Sequence, residues 1–253
     1  MISDTEAALP AREPLKKQIW GFWPTVGLGV VVGFVFTFVQ GIVAMIFTIV
    51  FVVENTELDL TELINRLLED GDLISAATIA SGIICTGLIL IMIKARHGIS
   101  IREYLALKPL NAKTVLIVLA VTAGFIGLSF IINTILKSEE GTDIVTSSYS
   151  NATSPVFFWI AVVIFAPVFE ESFLRGFMFL GFRQSKIGVV GAVILTSLIW
   201  AALHLQYNIL QMAQIFVLGI ILGIVRHKSN SLYSCIIIHA LNNLIAIALV
   251  SVS

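Results

Sequence analysis

Six residues drawn from three separate apolar stretches hold the chemistry this sequence could perform: Glu170, Glu171, Arg175, His204, His239 and Asn243. The run Glu170-Glu171-Ser-Phe-Leu-Arg175 puts three formal charges into an otherwise apolar stretch. An ionisable group inside lipid is costly unless paired or hydrated, so such a cluster is a functional feature by default. On a helix Glu171 and Arg175 are i,i+4 with the acid first, the favourable order, and can neutralise one another. Glu170 points about 100° away from Glu171. At i+3 and i+4 it meets Phe173 and Leu174 rather than a cation, which leaves it free to face a cavity. His204 and His239 fall in or beside later apolar runs, and His239 and Asn243 are again i,i+4 on one helix face. A carboxylate with an imidazole can activate water, and an imidazole with an amide can donate to a developing oxyanion. That inventory fits acyl hydrolysis, meaning peptide cleavage in a membrane cavity.

Other hydrolytic routes lack their motifs. No Gly-x-Ser-x-Gly occurs, and no serine has an evident partner. The soluble zinc signature His-Glu-x-x-His is absent as well. Two readings compete with hydrolysis. One is a proton-coupled transporter relaying protons through Glu170 and the histidines, which calls for internal repeats or paired broken helices; neither is visible. The other is a non-catalytic scaffold or bacteriocin self-immunity protein that uses the polar knot for packing. His97 and His227 sit among basic residues beside the spans and read as solvated surface groups. Cys85 and Cys235 lie inside apolar runs and read as small packing residues.

The elements that must position these residues are membrane helices. Of 253 residues, 58% are hydrophobic and 12% charged, and the mean hydropathy is +1.00. A soluble domain carries about 25% charged residues, so this chain is expected to be an all-α polytopic membrane protein of about seven spans, six to eight. Nothing resembles a basic nucleic-acid face. Spans are predicted at 25–53, 73–93, 114–136, 156–182, 188–203, 209–225 and 232–250, each against a need for about 20 apolar residues. The fifth and sixth are short and separated only by residues 204–208. The run at 25–53 is longer than the 7–15 residues of a signal peptide and is a retained anchor. The seven spans hold only Glu170, Glu171 and Arg175 as charged residues. Twelve of the fifteen Lys and Arg fall on the side of the N-terminus, which places that terminus in the cytoplasm. Residues 60–68 alternate at helical spacing and are expected to form a short surface helix in the acidic outer loop at 54–72. The expected organisation is a cytoplasmic segment at 1–24, a three-helix region at 25–136, an outer loop at 137–155 and the site-bearing core at 156–250. Linear depth along these spans does not bring Glu170, His204 and His239 together. A tilt, a break or a shifted boundary near 204–208 is required.

These motifs resemble those of the CaaX protease and bacteriocin-processing enzyme family of intramembrane endopeptidases, also called the ABI family. Its Glu-Glu-x-x-x-Arg, Phe-x-x-x-His and His-x-x-x-Asn patterns read here as Glu170-Glu171-x-x-x-Arg175, Trp200-x-x-x-His204 and His239-x-x-x-Asn243. The resemblance covers roughly 156–250; the first three spans match only in being hydrophobic. Trp200 stands where the family usually has Phe and keeps an aromatic packing group. The resemblance implies that Glu170 is the base activating water and that His204 holds the same water. It implies that Glu171 and Arg175 orient the site, and that His239 with Asn243 forms an oxyanion hole. The family has been described both as metal-independent and as metalloproteases, so zinc is possible, with Glu170, His204 and His239 as a three-ligand set. An amide at 243 favours the version with no tightly bound metal. The implied partners are membrane lipid and a membrane-associated protein or peptide substrate, in a prokaryotic cell membrane or its equivalent. Removal of a C-terminal tripeptide from a prenylated protein is the namesake reaction.

Overall fold

The computed structural model describes residues 19–54, 59–136 and 143–251. Arg12, Lys16, Lys17 and Lys137, used in the sidedness argument, lie outside the described residues. Every regular element among the described residues is a helix. In order these are α1 (Phe22–Glu54), α2 (Leu60–Glu69), α3 (Gly71–Lys94), α4 (Ile101–Tyr104), α5 (Ala112–Leu136), α6 (Asp143–Ser150), α7 (Pro155–Arg183), α8 (Gly188–Ala202), α9 (Ile209–Ser229) and α10 (Leu232–Val250). Six of them, α1, α3, α5, α7, α9 and α10, are long and apolar enough to cross a membrane, and α8 is a shorter apolar helix. The chain is a multi-pass integral membrane protein of about seven helices. Large apolar side chains such as Phe34, Met45, Ile91, Leu116 and Ile135 face outward, as they can where the solvent is hydrocarbon and only polar groups need hiding.

The surface helix forms as α2. The Asp59 carboxylate accepts from Glu62 N at 2.8 Å to cap it, and Glu62 pairs with Arg66 at 3.0 Å. Leu60, Ile64 and Leu68 stay exposed along it. The region expected as an outer loop at 137–155 is not all loop, because 143–150 is helical.

Packing follows a different grouping from the order along the chain. α1 and α3 lie together, with the Cys85 thiol directed at Val32 O, and α3 runs on along α7. α5 parts from them and packs on α10. Both cysteines are free and buried. α8 and α9 form the tightest hairpin. Gly219 and Gly223 are one small-xxx-small pair on α9. A Cβ at Gly219 would lie 2.9 Å from Ser197 Cβ, and one at Gly223 would lie 3.0 Å from Val193.

Two local features reconcile the depths that linear counting leaves apart. First, α8 has 15 residues, about 22 Å of helix, which is shorter than a hydrocarbon core of about 30 Å. Counted from the end that carries Arg183 and Lys186, the turn with His204 therefore stops inside the membrane thickness. Second, the segment around Tyr104, Leu105 and Ala106 is buried in the bundle. Tyr104 stacks on Phe177, with ring centroids 6.0 Å apart. Burial pushes its phenol pKa up, so it stays neutral. Leu232 N donates to Ala106 O at 3.0 Å, and Ser231 Oγ donates to Lys108 O at 2.6 Å. Gly176 of α7 leaves room for both Leu105 and Leu232, since a Cβ there would stand 2.7 and 3.7 Å from their methyls. α10 thus starts level with Gly176, seven residues inside the end of α7. That lifts His239 by about 10 Å towards Glu170. Ala106 has φ +52°, a left-handed conformation that costs a non-glycine residue roughly 1–2 kcal/mol.

Candidate active site

α7 is continuous but not uniform: Ala161–Phe165 and Ser172–Met178 are π-helical. Pro167 explains the first wide turn, because it has no N–H to give. Ala166 N–H reaches back five residues to Ala161 O. Val162 O then has no donor from Ala166 and none from Pro167. Asn243 on α10 fills the gap, donating from Nδ2 to Val162 O at 3.0 Å. In the second wide turn Phe179 N–H reaches Leu174 O and passes over Arg175 O. Arg226 Nε on α9 donates to that carbonyl at 3.0 Å. Each wide turn is completed by a side chain from another helix, as a low-polarity surrounding demands. π-bulges recur at functional sites, and these two flank the turn that carries Glu170 and Glu171.

Glu171 is fully buried and its Oε1 accepts twice: from Arg175 Nη1 at 3.0 Å and from His239 Nδ1 at 3.0 Å. The expected pairing with Arg175 is present, and His239 joins it. Arg175, also fully buried, donates from Nη2 to Gly219 O at 3.3 Å and lies 4.6 Å from the Trp200 ring centre. Its charge is met on three sides by a carboxylate, a carbonyl and an aromatic face.

Glu170 is half-buried and turned the other way, onto α8. Trp200 Nε1 donates to its Oε2 at 2.5 Å. The Trp200 ring meets His204 edge-on at 5.6 Å and His239 at 5.0 Å between centroids. Trp200 therefore joins the carboxylate to both imidazoles. His204 places Nδ1 2.8 Å from Trp200 O and stacks on Tyr207. A carbonyl and a carboxylate can only accept, so Nδ1 carries the proton in both His204 and His239. Nε2 is then the free position on each ring, a bare acceptor when the ring is neutral and a donor only when it is an imidazolium.

Glu170, His204, His239 and Asn243 line one cavity of about 670 Å³ between α5, α7, α9 and α10, with Trp200 and Tyr207 in its wall. Glu171 and Arg175 lie behind it. A second cavity of similar size sits far from this chemistry, in the groove beside α2 around Asp59, Glu62 and Arg66. Among the described residues no three His, Cys, Asp or Glu side chains are grouped closely enough to hold a metal ion. Glu170, His204 and His239 share the cavity, but as they stand they do not fit a zinc ligand set.

Two residues join the site in roles that the sequence reading did not give them. Trp200, expected only to pack, donates to Glu170 through an indole N–H that Phe lacks. Its spacing of four residues before His204 was the available signal. Arg226, expected in a polar loop after a span ending at 225, is instead buried in the last turn of α9, which continues to Ser229. Arg226 thus joins Glu171 and Arg175 as a buried charged residue of the spans. His227 lies on that same turn and is half-buried rather than solvated.

Residues 152–245 match the family model described as type II CAAX prenyl endopeptidase Rce1-like. Over 83 residues the chain is 36% identical to an Escherichia coli protein described as an uncharacterized 24.3 kDa protein. The aligned part is 32% of this chain and 38% of that protein, so the chain spans well under two thirds of the relative's length. No solved structure matches the chain.

Proposed function

With residues 152–245 belonging to the Rce1-like type II CAAX prenyl endopeptidase pattern, we propose that this chain is an intramembrane endopeptidase cleaving a membrane-associated protein or peptide. The observation that carries the reading is the meeting of Glu170, His204 and His239 around Trp200 in one cavity. Glu170 takes a proton from water. His204 Nε2 accepts a second hydrogen bond from the same water and fixes its lone pair towards the scissile carbonyl. The carbonyl oxygen becomes an oxyanion, which the remaining N–H of Asn243 and Nε2 of His239 stabilise. His239 can donate there only as an imidazolium, held at Nδ1 by the Glu171 carboxylate that it shares with Arg175. Collapse of the intermediate passes the proton held by Glu170 to the leaving amine. Glu171 and Arg175 act through His239 and Trp200 as positioning residues. No step runs through a metal. The N-terminus and the basic end of the bundle face the cytoplasm in this reading.

Glu170→Gln keeps shape and hydrogen bonding while removing the base. Purified variant and parent are expected to melt at the same temperature, with cleavage of a membrane-tethered peptide lost in the variant alone. Parent activity is expected to survive thorough chelation. Stoichiometric zinc, with activity lost on its removal and restored on its return, would overturn the metal-free account.

A further inference from the structure

The cavity wall carries a band of side-chain amides that the catalytic reading does not use in full: Asn133 on α5, Gln206 in the 203–208 turn, Gln211 and Gln214 on α9, and Asn242 with Asn243 on α10. Each amide offers two N–H donors and an oxygen that accepts twice. The bonds they make leave most of that capacity over. Gln214 Nε2 donates to Asn133 Oδ1 at 2.7 Å, Gln211 caps α9 with Asn208, and Asn243 spends one N–H on Val162 O. The rest of the wall is apolar, with Phe125, Phe130, Ile215, Leu218 and Ile247 prominent. No Lys or Arg lines the cavity among the described residues, while Glu170 brings a carboxylate to it. The nearby guanidinium of Arg175 is fully buried and committed to Glu171, Gly219 O and Trp200.

A polypeptide must leave its helix to present a bond for cleavage. Inside a membrane every N–H and C=O it exposes then needs a new partner. Side-chain amides match a peptide group donor for acceptor and acceptor for donor. A terminal carboxylate would instead enter beside the Glu170 carboxylate with no Lys or Arg in the wall to meet it, an expensive burial. We infer that the cavity takes an internal, uncharged stretch of a membrane-associated polypeptide, held in extended form through its backbone by these amides, in preference to a chain end bearing a free carboxylate. The inference rests on the protease reading for its chemistry and on the wall residues for its selectivity.

The test uses full-length protein in lipid vesicles and three membrane-tethered peptides of one sequence, each bearing a photoreactive group near the scissile bond. One ends in a free carboxylate close to that bond, one in a carboxamide at the same place, and one continues in a neutral extension. The carboxamide and the extension are expected to exceed the carboxylate in kcat/KM by about tenfold or more, chiefly through KM. Asn242→Lys, which adds a cation to the wall, is expected to narrow or reverse the ratio. Equal handling of the three peptides by the parent protein, or preference for the carboxylate, overturns the inference whether or not the variant folds. If none is cleaved but photocrosslinking keeps the same order, the selectivity stands and the protease reading fails.

Discussion

A single oxygen, Oε1 of Glu171, receives both Arg175 and His239 at 3.0 Å in a fully buried setting. Glu171→Gln removes the countercharge of Arg175, and leaving a buried guanidinium unpaired costs roughly 3–5 kcal/mol. Thermal unfolding of the purified variant is expected to show that loss, whereas Glu170→Gln is not. Equal melting of the two variants would mean that the division between a structural and a free carboxylate is wrong. Trp200→Phe probes the other carboxylate. Loss of an indole hydrogen bond to a charged group is worth about 1.5–3 kcal/mol, and Glu170 loses the contact that holds it in place. Steady-state kinetics should then show kcat falling with KM little changed; an unaltered kcat would reduce Trp200 to packing. The Glu171–Arg175 pair was legible in sequence because i,i+4 spacing within one helix fixes it. The indole bond joins residues 30 apart on two helices, and no periodicity encodes such a contact.

Among the elements, α7 is the one whose form departs most from its sequence pattern. An apolar run with one proline predicts a helix over 156–182, and the helix is there. The wide turns are not readable from that run, because their stability depends on Asn243 and Arg226 arriving from α10 and α9. Arg226 itself escaped the span boundary for a related reason. It sits among His227, Lys228 and Ser229, and hydropathy cannot tell a last helical turn that faces a core from a loop. The segment around Tyr104–Ala106 was likewise silent, a polar-flanked connector in sequence that proves to be a buried seat for α10. The α8–α9 hairpin gives the element-scale prediction. Gly223→Leu forces a side chain into the space where a Cβ alone would already stand 3.0 Å from Val193. Overpacking of that kind costs about 1–3 kcal/mol. It should separate the turn carrying His204 from Glu170, so activity is expected to fall further than the melting temperature implies. Unchanged activity at reduced stability would show that the hairpin does not position the site.

For the molecule as a whole, a short α8 and a deeply seated α10 let α7, the turn after α8 and α10 deliver one carboxylate, two imidazoles and an amide to a single cavity. Glu171 and Arg175 are paired behind that cavity, and an amide-rich wall lines it. In the proposed function, water attacks a peptide carbonyl that has come in from the membrane. The central claim is hydrolysis by a water that Glu170 activates, and product labelling tests it most directly. Purified protein in vesicles would cleave a membrane-tethered peptide in water enriched in oxygen-18, with both fragments weighed by mass spectrometry. The predicted result is a single heavy oxygen in the new C-terminal carboxylate for the parent protein and no new fragments for Glu170→Gln. Fragments of the same mass and yield from Glu170→Gln, or no cleavage by a folded parent protein across peptides that enter the cavity, would contradict it.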